Sequence, residues 1–535
     1  MSPSPASPPD ATSLAAAQRC LHEGALDRAE AIIGGILHAT ADDPEALHLL
    51  GLTALQRGRH DVAAEAFGRA AAAHPEFVKA HANRASALRL LGRREEALAA
   101  LRRALALDPA LPALYQNTAA LLRDIGRGEE AVTAFRRLLR LAPDHGPGLH
   151  GLGDALRTAS RLDEAIPVYR RLAALHPDIA QAHGNLGVML QFQSRLEDAK
   201  ASYTRALVID PGYAEARSNL GLLQLLSGDL ANGWGNHTAR WATRDKESSR
   251  RNFPLPAWDG GDLAGRRLLA WGELGVGDEI LLAGMIPDLS ARGIGCVLEA
   301  APRLVPLFAR SFPEVEVVPR TDPPHPGTEA GDLAAQCSLG NLGRWLRPDF
   351  ASFPRRPRYL TADPEAVERL RARYRRGNAG NLVIGISWHS VNPGHRDYKS
   401  APLPLWTPVL TLPGITFVDL QYGAFTADLE EARRACGASI IHDNEIDPLA
   451  DLDGFAAQVA ALDLVISISN TTVHVAGALG VPVWLLLARQ TGFLWCWFTG
   501  REDSPWYPSM RLFRQETAGD WSPVFARVRR ELMPR

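Results

Sequence analysis

The first half of this chain repeats itself every 34 residues, and that period restricts its fold more than any other feature. One alanine and one proline position recur at this spacing: Ala29, Ala63, Ala97, Ala131, Ala165 and Ala199, and Pro75, Pro109, Pro143, Pro177 and Pro211. Proline removes an amide donor and clashes with the preceding helical turn, so each of these prolines is expected to end a helix. The period therefore predicts a stack of helical hairpins, one in each repeat.

Two further positions of the same period carry residues of opposite size. The small ones are Ala17, Gly51, Ala85, Ala119, Gly153, Gly187 and Gly221, and the large ones are Phe67, Leu101, Phe135, Tyr169 and Tyr203. Small residues let two helices touch, while large ones fill the neighbouring groove. This pattern resembles the tetratricopeptide repeat and implies an all-α superhelix over residues 12–245, with about six repeats and a terminal hairpin. Trp234 and Trp241 in that last hairpin are expected to face the next domain, and residues 1–11 are expected to form a disordered tail.

An asparagine recurs in the first helix of four repeats, at Asn83, Asn117, Asn185 and Asn219. Side-chain amides both donate and accept hydrogen bonds, so a row of them on the concave face of a superhelix suits an extended peptide backbone. The alternative is that these asparagines only bridge neighbouring helices. We favour peptide binding.

The composition excludes several classes of protein. With 58 Lys plus Arg against 60 Asp plus Glu, no global field favours nucleic acid or an anionic membrane surface. Five scattered cysteines without a C-x-x-C pair argue against a disulfide framework and a structural zinc site. The start of the chain lacks the pattern of a signal peptide, and the apolar runs are too short to span a bilayer. We expect a cytoplasmic protein without a membrane span.

After residue 250 the pattern changes to strands alternating with helices. The candidate strands are apolar and rich in β-branched residues, as buried parallel strands are: 267–271, 296–299, 315–318, 382–388, 415–421, 464–467 and 481–487. A charged helix and a Gly/Asn turn separate the first three from the rest. We predict two doubly wound α/β lobes, 246–376 and 377–535, with a cleft at the carboxyl ends of their strands.

The first lobe begins with a strand that runs into the loop GELGVGDEI. Its glycines allow the backbone to approach a ligand closely. Asp278 and Glu279 lie at the start of the next helix, where a carboxylate repels a pyrophosphate, so this loop suits an acceptor or a general base. Asp278 acting only as a helix cap is the alternative.

The second lobe carries the candidate phosphate site. The strand LDLVISIS runs into SNTTVHVAGALG, which places Ser469, Asn470, Thr471, Thr472 and His474 at a helix N-terminus, a favourable position for a diphosphate. An earlier loop, WHSVNPGHRDYKS, adds hydroxyl and basic side chains able to neutralise a leaving diphosphate: Ser387, His389, Arg396 and Lys399.

These segments resemble the lipopolysaccharide heptosyltransferase superfamily of GT-B glycosyltransferases over roughly residues 265–515. The resemblance implies that Asp278 is the catalytic base and Lys399 a diphosphate ligand, in an inverting reaction that needs no metal and no cofactor besides the nucleotide-sugar substrate. The family's Asp-Thr pair in its D-T-x-x-x-H-x-A motif is Ser469-Asn470 in this chain. Repeats followed by a GT-B unit are similar in architecture to protein O-linked N-acetylglucosamine transferase, which implies a protein acceptor.

The sequence thus indicates a glycosyltransferase that modifies a protein, such as a bacterial surface protein or flagellin, recruited by its repeats. Two alternatives stay open. The chain is an adaptor with a degenerate α/β domain, or its acceptor is a lipopolysaccharide or an oligosaccharide.

Overall fold

The computed structural model describes residues 11–159, 161–243, 250–273, 275–377, 380–390, 399–423, 425–489 and 494–533. The predicted tail at 1–11 falls almost wholly outside these residues. Internal contacts divide the chain into two compact units, Met1–Met189 and Leu190–Arg535, which are described separately below.

The first unit consists of helical hairpins, each formed by two consecutive helices, as the 34-residue period predicts. They are α1 (Ala11–His22), α2 (Leu26–Ala39), α3 (Pro44–Gln56), α4 (His60–Ala73), α5 (Val78–Leu90), α6 (Arg94–Leu107), α7 (Pro112–Asp124), α8 (Gly128–Leu141), α9 (Gly146–Thr158), α10 (Leu162–Leu175) and α11 (Ala180–Phe192), whose last residues enter the second unit. Each recurring proline lies two residues after a helix ends; Pro75 follows α4 and Pro109 follows α6 in this way.

Size complementarity holds the hairpins together. The six recurring alanines are fully buried. A methyl group added at Gly51 would lie 2.6 Å from the Phe67 ring, and one at Gly153 would lie 2.5 Å from the Tyr169 ring. Glycine is thus required at these two positions, where two helices of one hairpin touch, and the predicted pairing of small with large positions is confirmed.

The second unit begins with three more repeat helices, α12 (Leu196–Ile209), α13 (Ala214–Ser227) and α14 (Leu230–His237), and a 3-10 turn at Thr238–Ala242. Trp234 donates from Nε1 to the carbonyl oxygen of Arg347 at 2.9 Å, and its ring lies 5.2 Å from that of Trp495. The Trp241 ring lies 5.2 Å from that of Trp271. The expectation that both tryptophans face the next domain is confirmed, which explains why the last helices group with the α/β lobes.

The first lobe is a four-stranded parallel sheet in the order β3-β2-β1-β4. Its strands are β1 (Arg267–Trp271), β2 (Cys296–Ala300), β3 (Glu316–Pro319) and β4 (Leu333–Ser338), and its helices are α15 (Val276–Ala283), α16 (Ile286–Ala291), α17 (Val305–Ser311) and α18 (Leu339–Leu346). Helix α15 follows β1 directly, so its N-terminus lies at the carboxyl edge of this sheet.

The second lobe is a six-stranded parallel sheet in the order β10-β9-β8-β5-β6-β7. Its strands are β5 (Leu382–Ser387), β6 (Ile415–Asp419), β7 (Ile440–Ile441), β8 (Leu464–Ile468), β9 (Val483–Leu487) and β10 (Met510–Arg514). The described helices are α19 (Pro364–Tyr374), α20 (Thr407–Leu410), α21 (Thr426–Cys436), α22 (Leu452–Ala460), α23 (Thr471–Leu479) and α24 (Ser522–Leu532). Seven strands match predicted runs, whereas β4, β7 and β10 were not predicted.

Polar contacts connect the two lobes within this unit. Arg310 of α17 forms a two-point ion pair with Asp453 of α22, with one nitrogen at 2.6 Å. Arg303 donates to the carbonyl oxygen of Leu449 at 2.7 Å. The two parallel sheets and the helices between their strands make the second unit α/β beyond residue 250. Within the described ranges, no helix has the length and apolar character needed to cross a membrane.

Candidate functional site

The candidate site lies at the point where the strand order of the second lobe reverses. The chain moves outward from β5 to β6 and β7, and then returns to the other side of β5 with β8. The chain therefore continues toward opposite edges of the sheet after β5 and after β8, and the crevice at the carboxyl ends of these two strands is the usual ligand position in such sheets. A cavity of about 360 Å³ occupies it, and residues 275–278 of the first lobe close its other side.

The wall from the second lobe is the N-terminus of α23. Asn470 caps this helix, because its side chain accepts from the backbone N–H of Thr472 at 3.1 Å. Its amide donates to Ser387 Oγ at 2.7 Å, which ties the cap to the end of β5. The backbone amides at the start of the helix and the helix dipole make this a favourable place for an anion.

Lys399 brings a cation to the same cavity. Burial lowers the pKa of its ammonium group, and Cys496 and Asp278, which also line the cavity, act in the opposite direction. An anionic ligand beside this partly buried ammonium group would favour its charged form.

His474 lies one turn into α23 and is 7% exposed. Burial, and then the charge of Lys399, lowers its pKa to about 3, so the ring is neutral at physiological pH. Its Nδ1 lies 3.0 Å from the Tyr507 hydroxyl, and the ring stacks on Trp497 with centroids 5.1 Å apart. His474 is thus a fixed, neutral hydrogen-bonding group, not a second cation.

The opposite wall is the loop from β1 into α15. Glu273 in this loop is anchored by Arg240, whose two nitrogens contact the carboxylate at 2.6 and 2.8 Å. Gly277 lies close to the opposite wall, since a methyl group there would lie 3.0 Å from His474 Cδ2, a tight contact. Asp278 lines the cavity, on the side facing Lys399 and the α23 N-terminus.

Glu279, the other predicted catalytic carboxylate, points elsewhere. It is 1% exposed, pairs with Arg320 at 2.7 Å, and accepts from the backbone N–H of Ala301 at 2.9 Å. Burial raises its pKa, and Arg320 opposes that shift. Since Glu279 does not line the cavity and is held by structural partners, it has no part in the chemistry proposed below.

The remaining predicted donor ligands fall into three groups. Ser469, Asn470 and Thr471 line the cavity. Ser387 and Thr472 are fully buried behind it, and the backbone N–H of His389 is bound by Gln421 Oε1 at 2.8 Å. Arg396 lies outside the described residues. The cavity also has walls that sequence reasoning missed: Ser390, Tyr422, Leu494, Trp495, Cys496 and Trp497.

The second lobe also contains an Asp-x-Asp motif, a pattern that binds metal in some sugar transferases, at Asp451 and Asp453. Asp451 caps α22 by accepting from the backbone N–H of Gly454, and Asp453 pairs with Arg310. The motif is structural in this chain. The described residues gather no cluster of three His, Cys, Asp or Glu side chains with the geometry of a metal site.

The asparagine row in the first unit is only partly available for a ligand. Asn83 and Asn185 donate to the Nε2 atoms of His48 and His150 at 2.8 and 3.0 Å, and so bridge successive first helices. Asn117 is exposed and lines a 230 Å³ groove between α5 and α7 with Arg89 and Asp124. Asn219 is partly buried on α13, in the second unit.

A family model for the tetratricopeptide repeat matches residues 48–112, 117–178 and 150–213. The first half of the chain therefore carries tetratricopeptide repeats, which indicates binding of proteins or peptides.

A curated relative, Protein FlbA of Caulobacter vibrioides (strain ATCC 19089 / CIP 103742 / CB 15), is 37% identical over 319 residues. The match covers 57% of this chain and 52% of the relative, so the chain spans about half the length of the curated relative that it matches.

Solved structures similar to this chain include YrrB, described as a TPR protein with an unusual peptide-binding site, at 17% identity and a TM-score of 0.32. That match covers 34% of this chain and 95% of YrrB. PilF of Pseudomonas aeruginosa is 17% identical with a TM-score of 0.34, over 38% of this chain and 94% of that one.

Proposed function

We propose that the chain is a glycosyltransferase that moves a sugar from a nucleotide donor to a hydroxyl of a protein acceptor. The observation that carries this proposal is the composition of the 360 Å³ cavity. On one side of the cavity, the first lobe contributes a carboxylate, Asp278. On the other side, the second lobe contributes a cation, Lys399, and the capped N-terminus of α23.

The donor's diphosphate fits the second-lobe wall. Two negative phosphates at the α23 N-terminus would accept from backbone amides of that helix, from the Thr471 hydroxyl and from the Lys399 ammonium group. His474, being neutral, would contribute one hydrogen bond without charge. This set supplies charge stabilisation to a leaving diphosphate without calling on a metal.

The first-lobe wall fits the acceptor. Asp278 would remove the proton from the acceptor hydroxyl as its oxygen attacks the anomeric carbon from the face opposite the diphosphate. The new carbon–oxygen bond forms while the bond to the diphosphate oxygen breaks, and the nucleoside diphosphate leaves with that electron pair. Such a single displacement inverts the anomeric configuration.

The repeats fit the role of acceptor recruitment. The exposed Asn117 amide, with Arg89 and Ser86 in the same groove, offers donors to the carbonyl groups of an extended peptide. Asn83 and Asn185 serve the alternative role of bridging helices, so we assign peptide contact to Asn117 and not to the whole row.

A second candidate function, an adaptor that uses only the repeats, is favoured by one observation. Asn470 stands where the resembling family has a threonine, and its side chain is already engaged as a helix cap and by Ser387. The adaptor differs from the transferase in one measurable respect, because it binds no nucleotide.

A thermal-shift assay with UDP, ADP, GDP and CDP separates the two candidates. A ligand that binds only the folded state at about 100 times its Kd stabilises it by about 2.7 kcal/mol, so the midpoint should rise for at least one nucleotide. Inorganic phosphate at equal concentration is the control for ionic strength. Unchanged midpoints with all four nucleotides and their sugar conjugates would favour the adaptor.

A further inference from the structure

The last repeat hairpin contacts both walls of the candidate site. We call α13, α14 and the 3-10 turn after them, residues 214–242, the terminal hairpin. It belongs to the same compact unit as the two lobes. Its helices are in close backbone contact, since a methyl group at Gly221 would lie 2.5 Å from the backbone nitrogen of His237. The terminal hairpin can therefore act as one rigid support.

The contact with the first-lobe wall is a buried two-point ion pair. The side chains of Arg240 and Glu273 are 4% and 1% exposed. Arg240 Nε and Nη2 lie 2.8 and 2.6 Å from the two carboxylate oxygens of Glu273. Nη2 also donates to Ser338 Oγ at 3.1 Å, and Nη1 donates to the carbonyl oxygen of His237 at 3.0 Å. The guanidinium plane is thus fixed, and it fixes the plane of the carboxylate.

Glu273 is held from the side of the sheet as well. Its Oε1 accepts from the backbone N–H of Gly340, in the first turn of α18, at 2.8 Å. A methyl group at residue 340 would collide with that oxygen, so the carboxylate fills the space that a side chain would take. Residues 275–278, which follow Glu273 closely, line the cavity and include Asp278. The position of Glu273 therefore sets where the segment that carries Asp278 begins.

Stability alone is a poor explanation for a buried Arg240–Glu273 pair. Taking two charges out of water is costly, and apolar side chains of similar volume often stabilise a protein equally well or better. What the pair supplies is orientation, because a guanidinium group binds a carboxylate at two points in one plane. The pair is therefore suited to hold the first-lobe loop in one place.

The contact with the second-lobe wall is mainly aromatic. The Trp234 ring meets the Trp495 ring edge-on, with centroids 5.2 Å apart and an angle of 77° between the planes. The backbone N–H of Thr499 donates to the carbonyl oxygen of Leu226 on α13 at 2.9 Å. Trp497 lies between these two points in the chain, and it lines the cavity together with Trp495. The terminal hairpin thus supports this wall from behind.

We propose that the terminal hairpin positions the two walls of the cavity relative to each other, and that Arg240 is the positioning residue for Asp278, acting through Glu273. This inference rests on the proposed function, because it takes Asp278 as the base. A reacting group displaced by about 1 Å can lower the rate about 10²-fold. Since Arg240 does not line the cavity, its loss should lower kcat and leave the binding of both substrates intact.

The test is a double variant of the full-length chain, Arg240→Met with Glu273→Met, which replaces the ion pair by apolar side chains. The urea midpoint of unfolding should stay close to that of the unmodified chain. The kcat for sugar transfer should fall about 10²-fold, while the KM values and the Kd of a nucleoside diphosphate stay unchanged. A purely structural pair would give the opposite result, a lower midpoint with kcat of the folded protein retained.

The matched control is another buried ion pair of the first lobe, Arg347 with Asp288, whose side chains are 4% and 17% exposed and lie outside the cavity. Arg347→Met with Asp288→Leu should leave kcat unchanged. An equal fall of kcat in the control and in the Arg240→Met/Glu273→Met variant would show a general loss of packing, which would overturn the positioning role.

A second variant covers the case in which the double variant does not fold. Arg240→Lys keeps a positive charge beside Glu273, but an ammonium group cannot make the two-point contact. It should bind nucleoside diphosphate like the unmodified chain, while kcat falls about ten-fold. Full kcat in Arg240→Lys would overturn the positioning role and leave the proposed function standing, since sugar is still transferred. Absence of sugar transfer by the unmodified chain would instead remove the proposed function and this inference with it.

Discussion

Replacing Lys399 with methionine should weaken nucleoside diphosphate binding without unfolding the chain. The side chain lines the cavity with the α23 N-terminus, and methionine retains much of its apolar stem while removing the charge. A hydrogen bond to a charged group contributes about 1.5–3 kcal/mol, which corresponds to about a 10- to 150-fold increase in Kd. Because burial lowers the pKa of Lys399, the affinity of the unmodified chain should also fall as the pH rises through that lowered pKa.

Isothermal titration calorimetry measures both effects. At a pH around the lowered pKa of Lys399, binding to the unmodified chain should be accompanied by proton uptake, since the diphosphate favours charged Lys399; the methionine variant should lose that uptake. Lys200→Met, at an exposed position on α12, is the matched control, and Lys399→Arg should retain most of the affinity. Unchanged Kd in Lys399→Met, with the control also unchanged, would refute the assignment of Lys399 to the diphosphate.

Three further changes test other parts of the account. Asp278→Asn should lower the rate of sugar transfer by a factor of about 10² to 10⁴ and leave nucleotide affinity intact. Glu279→Gln should instead lower the free energy of unfolding by about 1–3 kcal/mol, as measured by urea denaturation. The reverse pattern would exchange the roles of the two carboxylates. His474 has a pKa of about 3 in the folded chain, against about 6.5 in the unfolded chain. Its contribution to the free energy of unfolding should therefore be fully present above pH 6.5 and fall by up to about 1.4 kcal/mol per pH unit as the pH drops toward 3. His474→Gln should flatten that fall in a denaturation series, and an unchanged slope would assign the acid sensitivity to other groups. Asn185→Ala should lower the free energy of unfolding by about 0.5–1.5 kcal/mol in the same assay. Asn117→Ala should instead raise the KM for a protein acceptor. Equal effects of both variants on stability would make the asparagine row purely structural.

The repeat half of the fold was predictable because its signal is local and periodic. Alanines 34 residues apart and prolines at every junction specify a hairpin without knowledge of distant residues. The bridging role of Asn83 and Asn185 had a visible signal as well. His48 and His150, their partners, stand 35 residues earlier in each case, one period plus one residue.

The α/β half was predictable only where strands are apolar and β-branched. Strand β4 has the sequence LAAQCS, whose alanines and polar residues do not indicate a buried strand. Strand β10 has the sequence MRLFR, in which arginines alternate with apolar residues. Strand β7 has only two residues, too few for any pattern. These strands form because neighbouring strands supply their hydrogen bonds, which is a property of the sheet and not of their own sequence.

The candidate site was found from its loops, but the roles of adjacent residues were not separable. The residue types alone do not separate Asp278 from Glu279, and the partners that hold the buried Glu279, Arg320 and the backbone N–H of Ala301, lie far along the chain. The wall at Trp495–Trp497 was missed for the same reason, since no local motif marks aromatic residues that meet His474 only through folding.

The central claim is transfer of a sugar to protein, and mass spectrometry tests it most directly. Purified chain would be incubated with a panel of nucleotide sugars and proteins from a strain lacking this chain, with Asp278→Asn as the matched inactive variant. The account predicts that hydroxyl-bearing residues gain the mass of the sugar from one donor with the unmodified chain, and at least about 100-fold less with Asp278→Asn. Nucleotide binding without any added mass on protein, from any donor, would contradict it.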